Sequence, residues 1–350
     1  MGAITPSFVM DLESRMRTIT ETEFNKLLAS LWYTDIVRVS QSGSMREIVL
    51  WLLSTANIEY QGKRGGNKFY EDVVSQIFSY EHKHAGTGLR LKKDQMTDLD
   101  GNGLQIAAKW SADIGALMAY WPQKQAALAL KNGHLATSLA YDGQIYFSGA
   151  HPLNPMNAVV GAYANLHCTA GGASGVGAVP IDDSVTADVA LANLAKVMAY
   201  VQGIKMPNGE DPRMLEPRSI FCSPRMAPRV AQLTNAKFIA QASAGGSGSA
   251  DVEALIQTLG YAKPVVCKEL AGYESDTTWF VSTSAATDTE LGALIYSVRE
   301  PFTIQWYTGE GSSTGVDAIL NRQNRLEWNV DGRNVMTYGH PYALHKCSAT

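Results

Sequence analysis

Residues 47–91 constrain the fold of this chain more than any other segment, because they predict a hairpin too long to stand alone. Residues 48–53 and 58–60 are typical of one side of the hairpin, and the aromatic and β-branched run 69–80 is typical of the other. A lone two-stranded hairpin is marginally stable in water, so a long one has to lie on another surface. In a monomer it would favour aggregation, whereas in an assembling subunit it is a contact arm.

The tip of this hairpin is rich in glycine and cations. The tip residues predicted to contact another subunit are Gly62, Lys63, Arg64, Gly65, Gly66 and Lys68. Glycine permits the backbone to turn sharply, and lysine and arginine keep their charged ends in water or against acidic groups. A third short strand is predicted at 89–91.

Two helices stand out by their apolar spacing. Residues 7–30 predict an amphipathic helix with a single apolar stripe, which suits docking on another surface. A second helix is predicted from Leu104, and its apolar positions continue at helical spacing to Trp121. Pro122 lacks a backbone donor, so we expect a kink or a new start there, before the stop signal Asn132-Gly133.

The rest of the chain mixes short strands and helices without a repeat. Strands are predicted at 145–147, 218–222, 264–268, 279–282, 293–298, 301–308 and 326–330, and helices after Ser184, at 224–233 and at 251–259. The tracts 160–180 and 242–250 are rich in glycine, alanine and serine and predict flexible segments. Segregated helices and antiparallel-type strands indicate an α+β fold.

Composition excludes several classes of protein. The chain has 350 residues, 45% of them hydrophobic and 18% charged, which is typical of a globular protein with one elaborate domain or two simpler ones. We expect no membrane span and no secretory signal at the start, and therefore a protein made and kept in a cytoplasm. The net charge of −4 and the lack of a basic block argue against a DNA-binding module. The four cysteines are far apart, and we expect reduced thiols.

Motifs for chemistry are weak. The turn 98–103 matches the first half of a calcium loop, but Lys109 occupies the position of the essential bidentate glutamate. We therefore expect a turn that caps the following helix. His82 and His84 are two apart on a predicted strand and share one face, where a metal is the less favoured alternative to a solvated face.

His151 is the one residue that invites a catalytic hypothesis. Paired with Cys168 or Ser148 it would form a nucleophile site, but nothing in the sequence supplies a third, orienting group. We therefore predict a loop histidine, no catalytic residue, no cofactor and no metal, and a protein that is not an enzyme. A hydrolase that uses His151 remains an alternative.

Several segments, in order along the chain, resemble one family, the Mu-like major head subunits of tailed bacteriophages. They are the start Ile4-Thr5-Pro6, residues 59–64, residues 89–94 with the acidic turn 98–102, residues 141–147 (Tyr-Asp-Gly-Gln-Ile-Tyr-Phe) with His151-Pro152, residues 296–301, and Tyr338-Gly339-His340 followed by Tyr342. The glycine-rich tract at 160–180 has no clear counterpart in the family.

The resemblance implies the major capsid protein fold of tailed phages. Its parts would be an N-terminal arm at 1–44, an extended loop (E-loop) hairpin at 45–92 and a peripheral (P) domain with a spine helix at 93–150. An axial (A) domain at 151–289 would follow. The chain would then return to the peripheral domain at 290–325 and end in a C-terminal strand segment at 326–350 in the axial domain.

The resemblance also implies a function. The subunits would self-assemble as pentamers and hexamers into an icosahedral head, or virion capsid, that encloses double-stranded DNA without reading its sequence. Because the extended loop comes early, we expect a separate scaffolding protein and maturation protease, together with a portal and, as a further partner, decoration proteins. Assembly would take place in the cytoplasm of a host bacterium, without a membrane. An encapsulin-like compartment shell of the same fold is the main alternative.

Overall fold

The computed structural model describes residues 6–53, 74–92, 102–168, 175–235, 238–243, 246–251, 262–287, 292–306 and 325–348. The predicted hairpin tip at 62–68, the acidic positions 98–101 and most of the helix predicted at 251–259 lie outside the described residues.

The elements of the first half are helix α1 (Pro6–Leu28), strands β1 (Val37–Gln41), β2 (Arg46–Leu53), β3 (Val74–Glu81) and β4 (Lys83–Lys92), helix α2 (Asn102–Asn132), and the short strands β5 (His151–Pro152), β6 (Ala162–Tyr163) and β7 (Leu166–His167). Those of the second half are helix α3 (Ala187–Gln202), strand β8 (Pro217–Cys222), helix α4 (Ala227–Asn235) and strands β9 (Phe238–Ser243), β10 (Gly246–Asp251), β11 (Lys263–Val266), β12 (Trp279–Thr283), β13 (Leu294–Trp306), β14 (Arg325–Tyr338) and β15 (Leu344–Cys347). Helices and strands mix as the sequence predicts, and the α+β class is confirmed.

Helix α2 is a single rod of 31 residues that continues through Pro122. The expected restart at this proline is therefore wrong. Burial of Ala119, Ala126 and Leu130 on both sides of Pro122 holds the helix against the core, and this packing outweighs the lost backbone hydrogen bond. The predicted end at Asn132 is confirmed.

Helix α1 packs along α2 of the same chain. Its buried stripe includes Leu12, Met16 and Thr20, spaced four residues apart. The Thr20 hydroxyl donates to the carbonyl oxygen of Ser111 at 3.1 Å, across the two helices. A Cβ built on Gly115 would lie 2.4 Å from the Thr20 carbonyl oxygen, so the helices cross closely because α2 has a glycine there.

A four-stranded sheet lies against α2, with the order β1-β13-β14-β4. Strand β1 runs parallel to β13, and the other two pairs are antiparallel. The two strands predicted at 293–298 and 301–308 are one strand, β13, whose register shifts around Glu300. Pro301 cannot donate to the ladder, and it is accommodated at this irregularity. Strands β4 and β14 also extend well beyond the predicted 89–91 and 326–330.

A five-stranded sheet in the order β11-β8-β12-β15-β7 forms the second half of the core. Helices α3 and α4 pack on it, and Trp279, Phe280 and Phe221 in its central strands are fully buried. Strand β7 comes from the tract predicted to be flexible, because Leu166 and His167 pair in parallel with β15.

Two further local predictions are corrected by the backbone pairing. The tract 242–250 takes part in the antiparallel hairpin β9–β10, where Gly246 pairs with Ser243. Its small residues predicted a flexible segment, but the hydrogen bonds of a ladder need only backbone groups. The strand predicted at 145–147 makes only the isolated bridge Leu139↔Ile145 in the described chain, since the turn at Gly143 (φ 77°) closes immediately before it.

Candidate functional site

The predicted contact residues at the hairpin tip lie outside the described residues, but the stem of the hairpin is described. Strands β2 and β3 pair antiparallel from Arg46↔Glu81 to Leu53↔Val74, so the predicted hairpin is confirmed in its stem. Val49 and Phe78 on one face pack against Tyr141 and Ile295. Ile48 and Ile77 lie on the other face and are 67% and 71% exposed. The stem therefore presents large apolar side chains to its surroundings.

His82 fixes the base of the stem. Its Nδ1 lies 3.2 Å from the Met45 carbonyl oxygen and its Nε2 lies 2.9 Å from the Ser297 hydroxyl. A proton on Nδ1 satisfies both contacts, because the ring then donates to the carbonyl and accepts from the hydroxyl. The solvated face expected for His82 is wrong, since the residue is buried, while His84 is exposed and accepts from Arg333 at 3.3 Å.

His151 lies at the centre of a buried polar cluster. Its Nδ1 is 2.7 Å from the Asp142 carboxylate, and its Nε2 is 3.1 Å from both the Tyr146 carbonyl oxygen and the Asn165 side-chain oxygen. The side chains of His151 and Asp142 are fully buried. The expectation that no third group orients His151 is wrong, because the Asp142 carboxylate contacts its Nδ1.

The hydrogen bonds also define the protonation of the ring. The Asn165 amide nitrogen donates to the carbonyl oxygens of Tyr146 and Pro341, at 2.7 and 3.0 Å, so its oxygen must be the acceptor that faces His151. Nε2 of His151 therefore carries a proton. With a carboxylate at Nδ1, the arrangement is that of an imidazolium paired with Asp142.

This geometry makes His151 unsuited to act as a general base. Both of its nitrogens already face oxygen acceptors, and neither is left to take a proton from Ser148 or Cys168. The backbone N–H of Ser148 instead donates to Asn165 at 2.9 Å. The residues therefore form a buried hydrogen-bonded cluster around His151.

The cluster continues into stacked rings at the end of the chain. His340 stacks on Tyr342 with ring centres 4.5 Å apart and meets Tyr141 edge-on at 5.6 Å. The Arg213 guanidinium carbon lies 3.9 Å from the centre of the Tyr342 ring as a cation–π contact. Burial, together with the positive charge of Arg213, holds the pKa of His340 well below its usual range. Residues from several of the short motifs quoted above thus meet in one place.

A second buried pair consists of His167 and His345, whose rings stack 5.3 Å apart. The Val176 N–H donates to Nδ1 of His167, so the proton of that ring is on Nε2 and points to Nδ1 of His345 at 3.1 Å. Nε2 of His345 then donates to the Tyr342 carbonyl oxygen at 3.2 Å. Burial lowers the pKa of His167 to about 4 and that of His345 well below its usual range, so both rings are neutral.

The four cysteines are free and buried. Burial raises the pKa of the Cys222 thiol to about 12, and it also raises the pKa of Cys267 and Cys347. Thiols in this state are poor nucleophiles and poor metal ligands. The part of the chain that the structure describes also contains no group of three or more histidine, cysteine or acidic residues placed to hold a metal. Among its helices, none is both long and apolar enough to cross a membrane.

Comparison with known protein families gives one match. Residues 12–176 match the family described as the Mu-like prophage major head subunit gpT. Comparison with curated proteins gives no match.

Comparison with solved structures gives many similar folds. The mature capsid of bacteriophage PhiM1 matches with a TM-score of 0.50 at 10% identity, over 89% of this chain and 84% of that one. The capsid of Myoviridae phage XM1 matches with a TM-score of 0.50 at 9% identity, over 91% of both chains. The capsid of cyanophage P-SCSP1u also has a TM-score of 0.50, at 10% identity, over 90% of this chain and 86% of that one. The fold is therefore that of phage capsid proteins.

Proposed function

We infer that the chain is a member of the Mu-like prophage major head subunit family and acts as the major capsid protein of a tailed bacteriophage. The match of residues 12–176 to that family carries this conclusion, and the capsid fold over nearly the whole chain supports it. The encapsulin-like alternative has less support, because the matching family is one of phage head subunits. The role is structural. Both ring nitrogens of His151 already contact oxygen atoms of the buried cluster, which argues against the hydrolase alternative.

We propose the following division of the chain. Residues 1–44 form the N-terminal arm, 45–92 the extended loop, 93–150 the peripheral domain with α2 as its spine, 151–289 the axial domain and 290–325 the return to the peripheral domain. Residues 326–350, proposed as the C-terminal segment of the axial domain, contribute β14 to the four-stranded sheet and β15 to the five-stranded sheet.

The proposed mechanism is self-assembly into pentamers and hexamers that close into an icosahedral shell around double-stranded DNA. The exposed apolar face of the β2–β3 stem, with Ile48 and Ile77, would be buried against a neighbouring subunit. At the tip, Lys63, Arg64 and Lys68 would meet acidic groups of that neighbour. Such surface pairs contribute on the order of 0.2 to 1 kcal/mol each, but closed rings repeat them in every subunit.

We propose the virion as the location of the mature protein and the host bacterial cytoplasm as the place of assembly. The expected partners are a separate scaffolding protein, a portal and decoration proteins. The exposed apolar face of the stem is the feature of this chain that favours contacts with protein.

Deletion of residues 61–68 tests the proposed role of the tip. The expected product is a folded subunit, with the circular dichroism and unfolding curve of the parent, that forms no shells in negative-stain electron micrographs. The parent chain should form shells at the same concentration. Normal particles from the deletion variant would overturn the proposal. Packaged DNA and a portal vertex in particles from infected cells would separate a phage head from a compartment shell.

A further inference from the structure

A groove of about 700 Å³ lies between helix α2 and strand β4. Its apolar floor is formed by Leu117, Trp121, Phe302 and Met336, among others. Leu117 is 57% exposed although it lies on the helix that forms the centre of this half of the molecule. The groove therefore offers apolar surface that the described chain leaves uncovered, next to a strand.

The floor of the groove is held by a side-chain hydrogen bond and a ring contact. The Trp121 indole N–H donates to the side-chain oxygen of Asn334 at 2.9 Å, and Asn334 is itself buried. Phe302 meets the indole edge-on with ring centres 6.2 Å apart. A site that is held in shape before binding loses less conformational entropy when a partner arrives.

The two charged residues that line the groove, Lys83 and Lys124, are both cations. Lys83 and His84 lie on one wall and Lys124 on the other, and all three are exposed. Lys124 also lies 5.7 Å from the centre of the Trp121 ring. The described residues that line the groove include no carboxylate. An occupant with acidic side chains would therefore be attracted, and a cationic one repelled.

Strand β4 beside the groove is an edge strand. It pairs with β14 on one side, and in the part of the chain that the structure describes its other side has no partner strand. Gly86 and Gly88 provide no side chain at two alternate positions of β4. A Cβ on Gly86 would lie 2.6 Å from the Val330 carbonyl oxygen and 2.4 Å from the Asp331 carboxylate, so β14 itself requires glycine there.

We propose that the groove and the free edge of β4 bind an extended, acidic segment of a separate protein, which adds a strand to β4 and places a bulky apolar side chain on Trp121. Added strands gain main-chain hydrogen bonds for affinity and side-chain pockets for specificity. The cationic tip of another copy's hairpin is the wrong occupant for this groove, since Lys63, Arg64 and Lys68 would face Lys83 and Lys124. The proposal concerns a partner protein and does not depend on shell formation.

Fluorescence anisotropy with a labelled peptide tests the proposal on the full-length chain. The probe is a nine-residue peptide of alternating aspartate and valine with a central phenylalanine, and its counterpart has lysine in place of aspartate. The double variant K83E/K124E should bind the acidic probe at least tenfold more weakly than the parent, which corresponds to about 1.4 kcal/mol. K196E/K205E is the matched control, because both lysines are exposed and lie outside the groove. It should bind like the parent.

The apolar floor and the sign of the charge have separate readouts. L117A should weaken the acidic probe severalfold while its unfolding curve stays that of the parent, since Leu117 is more than half exposed. The lysine peptide should bind no variant except K83E/K124E. Equal binding of the two peptides by the parent, or equal binding of the acidic probe by K83E/K124E, would mean that the edge lysines only protect β4 from aggregation. If the acidic probe does not bind but K83E/K124E changes the oligomeric state, the occupant is a copy of this chain and the proposal is wrong.

Discussion

At the scale of single residues, the buried pair of Asp142 and His151 is expected to contribute strongly to stability. Two charges buried together are tolerated because they neutralise each other and because their remaining donors and acceptors are satisfied. Here Tyr146 and Asn165 provide those bonds to His151, and the Gln144 N–H donates to the Asp142 carboxylate at 3.1 Å. Removal of either charge leaves the other buried without compensation.

We therefore predict that His151→Ala lowers the free energy of unfolding by about 3 to 5 kcal/mol. Urea unfolding followed by circular dichroism measures this loss. Ser148→Ala is the control, since its hydroxyl makes only a 3.3 Å bond to the Ala150 N–H and its loss should cost about 1 kcal/mol or less. Equal stability of the two variants would contradict the assigned role of the cluster.

The neutral pair His167 and His345 predicts how stability depends on pH. An unfolded histidine has a pKa near 6.5, whereas burial lowers the pKa of folded His167 to about 4. Protons therefore bind first to the unfolded chain, and the stability from this residue is complete above about pH 6.5 and is lost as the pH falls toward 4. From about pH 7 to about pH 5 the loss is about 2 kcal/mol for His167. His345 and His340 change in the same direction.

Urea unfolding at a series of pH values checks this prediction, with His345→Gln as the test variant. Glutamine cannot gain a proton, so the variant should lose less stability between about pH 7 and pH 5 than the parent chain does. The pKa values of the Glu269 and Glu274 carboxyl groups are lowered from their ordinary 4.5. Their protonation therefore changes stability at lower pH than the protonation of the histidines does. An unchanged slope in the variant would show that His345 is not neutral in the folded protein.

At the scale of elements, the crossing of α1 and α2 depends on a single small residue. Glycine inside a helix normally costs about 1 kcal/mol relative to alanine, so its replacement should stabilise an isolated helix. At Gly115 the added methyl group would meet the Thr20 carbonyl oxygen at 2.4 Å, a backbone atom that cannot rotate away. The contact between the two helices thus reverses the ordinary preference.

Gly115→Ala should destabilise the protein by about 1 to 3 kcal/mol, the range for an overpacked core. Differential scanning calorimetry of the variant measures the change in melting temperature. Gly203→Ala provides a control at the end of α3, where the φ of −84° suits alanine and the nearest atom is 3.4 Å away. We expect no loss for the control; a Gly115→Ala variant as stable as the parent would mean that α1 can move on α2 without cost.

The elements also show how far the sequence could predict the fold. Helices α1 and α2 were predictable because their apolar residues repeat with the helical period. Strand β13 was predicted as two strands and β14 was predicted too short, since their continuity and length depend on pairing with each other and not on local residues. The hairpin β9–β10 was missed because glycine and serine carry no apolar alternation. At the candidate cluster, the sequence motifs marked His151, but Asn165 and Pro341 reach it only through the folded chain.

At the scale of the whole molecule, the His151 cluster lies where the chain passes from one sheet to the other. Strand β14 ends at Tyr338 in the four-stranded sheet, and β15 begins at Leu344 in the five-stranded sheet. The Asn165 amide donates to the carbonyl oxygens of Pro341 and Leu344 in and after this crossover, at 3.0 and 3.3 Å. Two of the quoted motifs, residues 141–147 with His151-Pro152 and residues 338–342, therefore meet where the two sheets join, while the proposed assembly contacts lie in the hairpin.

The charge of the hairpin tip should act on assembly and not on folding. The variant K63Q/R64Q/K68Q keeps the length and the glycines of the tip, so it separates the effect of the charge from the effect of the loop length. If each of the three lost pairs contributes on the order of 0.2 to 1 kcal/mol, the loss per contact is about 0.6 to 3 kcal/mol, and the critical subunit concentration should rise by roughly threefold to a hundredfold. Light scattering against concentration measures this value, and K196Q/K205Q serves as the control. A rise of the same size in the parent at high salt is expected, because salt screens exposed charges. A critical concentration unchanged in the triple variant would mean that the backbone and apolar contacts of the hairpin suffice for assembly.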